Sequence, residues 1–421
     1  MITTINNKHN KLNVPNLRFP EFQGEWEKHE LGDICETITD FVAAGSFASL
    51  RENVKYYQED NYAQLVRTVD LKKDFTNNDF VYVDEFAYDF LWRVQLKEPN
   101  IVLPNIGANI GEKYYVSPED LPKEKNVLGP NAILLRSKCN DTHFVYFRLS
   151  TSSYDNEMKK LVGASGQPKF NKTDLKKVRL FMPSLKEQKK ISHFLGLLDE
   201  RIATQNKIID KLQSLIKGLN DFLYTQYGGE VLTSFTELGT SYSGLSGKSA
   251  QDFGSGKPFI TYLNVYSNNV IKENDFQYVA IKDDEKQNVV KYGDVLFTLS
   301  SETPEEVGVG SVYLGKEKVY LNSFCFGIHI TNTEVAFSPY LSYYVSLTAF
   351  RKFIYPYAQG STRFNLCKAD FEKASIKLPT LENQKRIYLI LGHIDCKIET
   401  ERQLLALYNS QKQYLLRQMF I

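Results

Sequence analysis

The stretch DLKKVRLFMPSLKEQKKISHFLGLLDERI, residues 174–202, decides the fold, because it returns 196 residues later as DFEKASIKLPTLENQKRIYLILGHIDCKI, residues 370–398. No gap is needed, and Asp174/Asp370, Pro183/Pro379, Leu185/Leu381, Gln188/Gln384, Ile191/Ile387, Leu195/Leu391, Gly196/Gly392 and Asp199/Asp395 are identical pairs. A self-match at fixed period marks a duplicated module, and missing it would misassign the whole chain. Upstream the echo is fainter and gapped. HELGDI near Gly32 answers TELGTS near Gly239, QLVRTVDL near Arg67 answers PFITYLNV near Tyr262, and GQPKFNKTDL answers GSTRFNLCKADF. Two globular parts built on one scaffold and diverged in detail are expected.

After Pro183, Ser184 with Glu187 reads as an S-x-x-E capping box, and Thr380 is the equivalent cap after Pro379; such side chains satisfy backbone donors orphaned at a helix start. From there Ile191, Leu195, Leu198, Ile202, Gln205, Ile209 and Leu212 follow at alternating spacings of four and three, a heptad seam. The second copy supplies Ile387, Leu391, Ile394, Ile398, Glu401, Leu405 and Tyr408. Helices of about 40 residues would be on the order of 60 Å long, more than a small domain requires. The economical arrangement pairs the seams as an antiparallel coiled coil, with polar Gln205 and Glu401 helping to set register. The alternatives are that each helix packs on its own domain, or that the seams form a homodimer.

At 421 residues the chain is long enough for two or three domains, and 42% hydrophobic residues suffice for two cores. Runs such as YAQLVRTVDL, DFVYVDEF and NAILLRS, with KPFITYLNVY, NDFQYVAI and DVLFTLSS in the second copy, are rich in Val, Ile, Tyr and Phe and bounded by Gly, Asn and Asp, the signature of strands. The expected class is α+β. A tail (1–13) precedes a first globular domain (14–182) and a central helix (183–227), then a second domain (228–378) and a C-terminal helix (379–421). The start has no apolar signal region and no stretch reaches the roughly 18 apolar residues of a membrane span, so a cytoplasmic, membrane-free protein is expected. Five scattered cysteines without a CxxC indicate neither a disulfide framework nor a zinc site. Lys plus Arg is 51 against 50 for Asp plus Glu, so any basic surface must be local.

Catalytic motifs are missing. An adenine amino-methyltransferase needs an N/D-P-P-aromatic loop, and no Pro-Pro pair exists. Gly247-Lys248-Ser249 resembles the end of a phosphate loop, but Tyr242 stands where its first glycine belongs. The six histidines show no metal spacing, and Glu157-Met158-Lys159 lacks the partner aspartate of a nuclease centre. What remains is a set of loops mixing basic, amide, hydroxyl and aromatic residues, suited to phosphates and base edges. Gln167, Lys169 and Asn171 in one Gly-led loop, and Thr362, Arg363 and Asn365 in the equivalent loop of the second copy, are the first candidates. Strand-end Arg67, Thr68 and Asp70, facing Tyr262 and Asn264, form a second candidate surface; Asn105 and Asn109, with Ser300 and Ser301, form a third. The plain alternative for each is a turn that solvates its polar groups.

These residues resemble the specificity subunits of type I restriction-modification systems, through NVPNLRFPEFQGEWEKHELGDI at the start and the doubled P-x-L-x-x-Q-x-x-I entry to a heptad helix. The resemblance covers essentially the whole chain. It implies a subunit without catalysis of its own, whose two target recognition domains each read half of a split, asymmetric double-stranded DNA site. The helices would set the spacing and dock two modification subunits carrying S-adenosylmethionine, which methylate adenine at N6 after flipping it. Restriction subunits would add ATP- and Mg-dependent translocation and cleavage. Two other classes compete: a coiled-coil-linked scaffold that binds only protein, and a self-sufficient methyltransferase or nuclease.

Overall fold

The computed structural model describes residues 3–4, 13–107, 110–161 and 169–421. Two helices dominate the element order, Leu185–Tyr227 and Leu381–Gln418. The chain divides into two compact units, and both divisions fall inside these helices, after Gln205 and after Gln403. Each unit therefore holds one globular part, the beginning of the helix that follows it and the end of the other helix.

The first unit contains a four-stranded antiparallel sheet in the spatial order Thr37–Asp40, Ala132–Arg136, Asn100–Pro104, Tyr114–Val116. Beside it lies a three-stranded sheet, Val81–Val83, Ala63–Val66 and Asn126–Leu128, whose last pair is parallel. Glu27–Glu30 pairs with Arg179–Met182. The second unit repeats this list strand for strand. Its four-stranded sheet runs Gly239–Ser243, Cys325–Ile330, Val295–Thr298, Gly310–Val312. Its three-stranded sheet runs Gln277–Val279, Phe253–Ile260, Tyr320–Leu321, again with the last pair parallel, and Val231–Thr233 pairs with Ile376–Leu378. The α+β class and the internal repeat thus hold at the level of hydrogen-bonded topology. The fully buried strands Ala63–Val66 and Val295–Thr298 explain why the strand signal is a continuous apolar run rather than an alternation.

The helices meet head to tail. In the first unit Ile191, Leu195 and Leu198 share a core with Leu415, Leu416, Met419 and Phe420, with Ile202 and Tyr408 against it, and Lys412 reaches Asp199 at 2.5 Å. In the second unit Ile387 and Leu391 share a core with Leu223, backed by Ile216 and Leu219. The start of one helix with the end of the other, in both units, is antiparallel pairing. The beginning of each seam also enters its own domain's core, so packing on the home domain accompanies the pairing instead of competing with it. Gln205 and Glu401 are buried, as are Ile209 and Ile398; Leu212, Ile394 and Leu405 are half-buried.

The repeated residues have visible work at the helix starts. Gln188 accepts from the Asp141 N–H at 3.0 Å and donates to the Pro183 carbonyl at 2.9 Å. Gln384 accepts from the Phe337 N–H at 2.8 Å and donates to the Pro379 carbonyl at 2.9 Å. Each glutamine bolts its helix to the chain 47 residues upstream. The expected capping box is only half made. The Glu187 N–H donates to Ser184 Oγ at 3.5 Å, but the Glu187 carboxylate turns away to form a buried, two-pronged pair with Arg18 at 2.7 and 2.8 Å. A buried guanidinium outcompetes a single backbone N–H because charge-assisted, bidentate bonds are the stronger ones.

Backbone register corrects the alignment of HELGDI with TELGTS. Met182 faces Glu27, whereas its counterpart Leu378 faces Val231, so Leu31 matches Phe235 and Ile34 matches Leu238. All four are buried. The identity-based alignment slipped by three residues, about one helical turn, which keeps an apolar residue on the same face.

Candidate nucleic-acid interface

The strand Ala63–Val66 runs straight into a short helix, Thr68–Lys72, and Phe253–Ile260 runs into Tyr262–Ser267. The Gly129 N–H donates to the Val66 carbonyl at 2.8 Å and the Asn322 N–H to the Ile260 carbonyl at 3.0 Å, which makes Arg67 and Thr68 the counterparts of Thr261 and Tyr262. Arg67 is committed internally: its guanidinium donates to Asp70 at 3.0 and 2.7 Å and to the Asp79 carbonyl at 2.7 Å. The hydrogen bond to Asp70 raises its pKa further. Asp70, expected at the surface, is fully buried and also accepts from Asn77 at 2.8 Å. Asn264 is buried as well, donating to the Lys272 carbonyl and accepting from its N–H. Both hold turns and present no edge to a ligand. Thr68 is half-buried at the first helical position.

In the second unit the Gly-led loop, Tyr262 and the Ser300–Ser301 pair converge. Ser300 pairs with Asn365 and Ser301 with Phe364 in a small sheet completed by Ala358–Gln359. The Tyr262 hydroxyl donates to the Ser300 carbonyl at 2.7 Å, and Arg363 donates to Ser300 Oγ at 3.3 Å while lying 5.8 Å from the Phe324 ring. Thr362, Arg363, Asn365 and Phe324 are exposed; Ser300 and Ser301 are mostly covered, and Ser301 donates to Glu306 at 3.0 Å. Hydrogen bonds led by that from Tyr266 hold the Glu306 carboxyl below the usual carboxylate range. The turn needs Gly360, whose φ is 143° and where a Cβ would lie 2.1 Å from the Arg363 carbonyl oxygen. Cation, amide and hydroxyl on one turn, with an exposed aromatic beside it, are the donor set for phosphate and base contacts.

The first unit builds the same junction with different side chains. Ile106 bridges Lys169, and the Phe170 N–H donates to the Asn105 carbonyl at 3.3 Å, as the Leu366 N–H donates to Leu299 at 2.8 Å. Lys169 therefore corresponds to Asn365 and Phe170 to Leu366, not to Arg363 and Phe364 as residue identity suggested. Phe170 and Leu366 are both buried, and filling the core, rather than likeness of letters, sets the register. The offset of 196 thus reaches back from Asp174 to Lys169, and through the glutamine bonds to Asp141 and Phe337. Asn171 caps the helix Lys172–Lys176, accepting from the Asp174 N–H at 2.9 Å, which leaves only Lys169 exposed and uncommitted of the loop's described candidates. Asn109 and Gln167 lie outside the described residues.

Sequence reasoning missed the exposed aromatics Phe47, Tyr56, Trp92 and Phe324. Phe47 and Tyr56 sit on the segment 41–62, which joins the strands Thr37–Asp40 and Ala63–Val66; the matching connection in the second unit, 244–252, is much shorter. The length difference was the available signal. Among the described residues no group of His, Cys, Asp or Glu could hold a metal, and no helix is long and apolar enough to cross a membrane.

Residues 23–214 and 243–407 match the family described as type I restriction modification DNA specificity domain. The chain is 27% identical over 426 residues to a putative type I restriction enzyme MjaX specificity subunit of Methanocaldococcus jannaschii, covering 93% of this chain and 92% of that one. It is 23% identical to the MjaVIII specificity subunit of the same organism, covering 92% and 89%. A solved type I restriction-modification S subunit from M. genitalium superposes with a TM-score of 0.54 at 12% identity, covering 97% of this chain and 99% of that one, a likeness of fold.

Proposed function

Because the chain belongs to the type I restriction modification DNA specificity domain family, we propose that it is the non-catalytic subunit that reads a bipartite, asymmetric site on double-stranded DNA for catalytic partners. One observation carries this. The two units share their strands, their helix-locking glutamines and the backbone of their junctions, yet differ in the side chains there: exposed Lys169 against exposed Asn365, half-buried Asn105 against half-buried Leu299. A common frame with divergent contact residues suits two recognition domains for two half-sites.

In this function the paired helices set the half-site separation and present surface to two modification subunits, and restriction subunits join that assembly. S-adenosylmethionine, ATP and Mg belong to those partners. A net charge of +1 is compatible with DNA binding when phosphate neutralisation is shared across the complex. The protein would work in the cytoplasm. Footprinting of the complex with its modification subunits is expected to show two protected blocks separated by a gap, and uniform or absent protection refutes the proposal. Exchange of residues 14–182 for another recognition domain should change one half-site alone, as mapped by methylated adenines across a host genome.

A further inference from the structure

The first unit contains a cavity of about 630 Å³ that borders the junction described above through Asn105 and Ile106. Its walls come largely from the segment 41–62, whose counterpart in the second unit is much shorter. Phe41 lies at its base, Phe47 and Tyr56 stand exposed around it, and Arg51 shares the helix Phe47–Asn53. Asn105, at the end of the strand Asn100–Pro104, closes the side next to Lys169. The volume falls in the range of small-molecule sites, about 300–1,000 Å³.

Three features define what fits. Phe47 is 82% exposed beside an apolar hollow, a poor arrangement for a side chain with nothing to cover, and a good one for stacking a flat heterocycle. Arg51 is exposed and forms no ion pair among the described residues, so its guanidinium is available to a phosphate. Asn105 donates through Nδ2 to the Phe170 carbonyl at 3.5 Å, which leaves Oδ1 buried without a hydrogen-bond partner among the described residues. A buried orphan acceptor calls for an N–H donor. The counterpart of Asn105 in the second unit is Leu299, which offers no such atom.

We propose that this cavity takes an unstacked nucleotide bearing an exocyclic amine, its base against Phe47 and Tyr56, its amine toward Asn105 and its phosphate on Arg51. The proposal rests on DNA recognition by this unit and adds to it a specificity pocket private to one half-site. An aromatic wall stacks any base, but adenine, cytosine and guanine offer Oδ1 an exocyclic amine, whereas thymine offers only an N3–H flanked by two carbonyl oxygens that would abut Oδ1, so Asn105 would disfavour thymine.

The test uses the full chain with free dAMP, dCMP and dTMP at millimolar concentration, followed by saturation-transfer NMR. dAMP and dCMP should bind at least threefold more tightly than dTMP. Phe47→Ala should weaken all three at least fivefold, and Asn105→Leu should abolish the preference over dTMP. Both variants are expected to melt as the parent does, because Phe47 is exposed and leucine occupies the equivalent position in the second unit. No binding by any nucleotide, or equal binding of all three in the parent chain, overturns the proposal. A bipartite footprint without nucleotide binding removes the pocket and leaves DNA recognition standing; nucleotide binding without a footprint does the reverse. On the recognised duplex, 2-aminopurine at the pocketed position should gain fluorescence several-fold on binding, and a gain that survives Phe47→Ala also counts against the pocket.

Discussion

Replacing Arg18 by methionine should destabilise the first unit more than any surface change. Arg18 and Glu187 have side chains 6% and 2% exposed and meet through two parallel bonds of 2.7 and 2.8 Å. Without Arg18, the Glu187 carboxylate keeps, among the described residues, only the Trp26 indole N–H at 3.4 Å. Breaking a buried pair from one side costs about 3–5 kcal/mol, because an uncompensated charge stays in the core. For a unit of this size, at roughly 2–4 °C per kcal/mol, the melting transition should fall by about 10 °C. Glu187→Gln should cost less, about 1–2 kcal/mol, since Arg18 retains the Gly24 and Gln23 carbonyls at 2.6 and 3.2 Å. The double variant Arg18→Met/Glu187→Leu removes both charges and should recover most of the loss. Scanning calorimetry on the four chains reads these losses. A loss below about 1 kcal/mol in Arg18→Met, or a double variant as unstable as the single, would refute the view that the buried charge dominates.

Gln384→Leu should destabilise the second unit by about 3 kcal/mol in denaturant melts, because the Phe337 N–H and two carbonyls lose their partner together. Burial alone would raise the Glu36 pKa, but accepted backbone bonds, first from the Lys138 N–H, outweigh it and lower the carboxyl from 4.5 to about 2. A depressed acid stabilises above its unfolded pKa and loses that contribution as pH falls, so the Tm gap between the parent and Glu36→Gln should be full above pH 4.5 and close toward pH 2. Four residues inserted beside Gln205 should change the spacer length of the methylated site or abolish assembly, since they rotate the seam by more than a full turn of helix. Unchanged spacing with full activity would show that the helices do not measure it.

The sequence by itself determined the duplication, the helix limits near Pro183 and Pro379, and the seam, because these rest on local and periodic chemistry. A cap follows a proline, and an apolar residue recurs every three or four positions whatever lies across from it. Family membership was equally legible in the doubled Gln-bearing entry to each helix. Tertiary structure alone decided which polar residues face outward. Arg67 and Asp70 read as a surface pair, yet Asp70 is wholly buried and binds the guanidinium; Asn264 and Asn171 secure turns that no local pattern distinguishes from exposed loops. It also decided true equivalence within the repeat. Phe170 matches Leu366 because both fill a core and bond to the same strand end, and core volume does not require identical letters. The cavity beside Asn105 was invisible for the same reason: its walls come from three separate stretches of chain, beginning at Asp40, Asn105 and Pro130, and only folding brings them around one space.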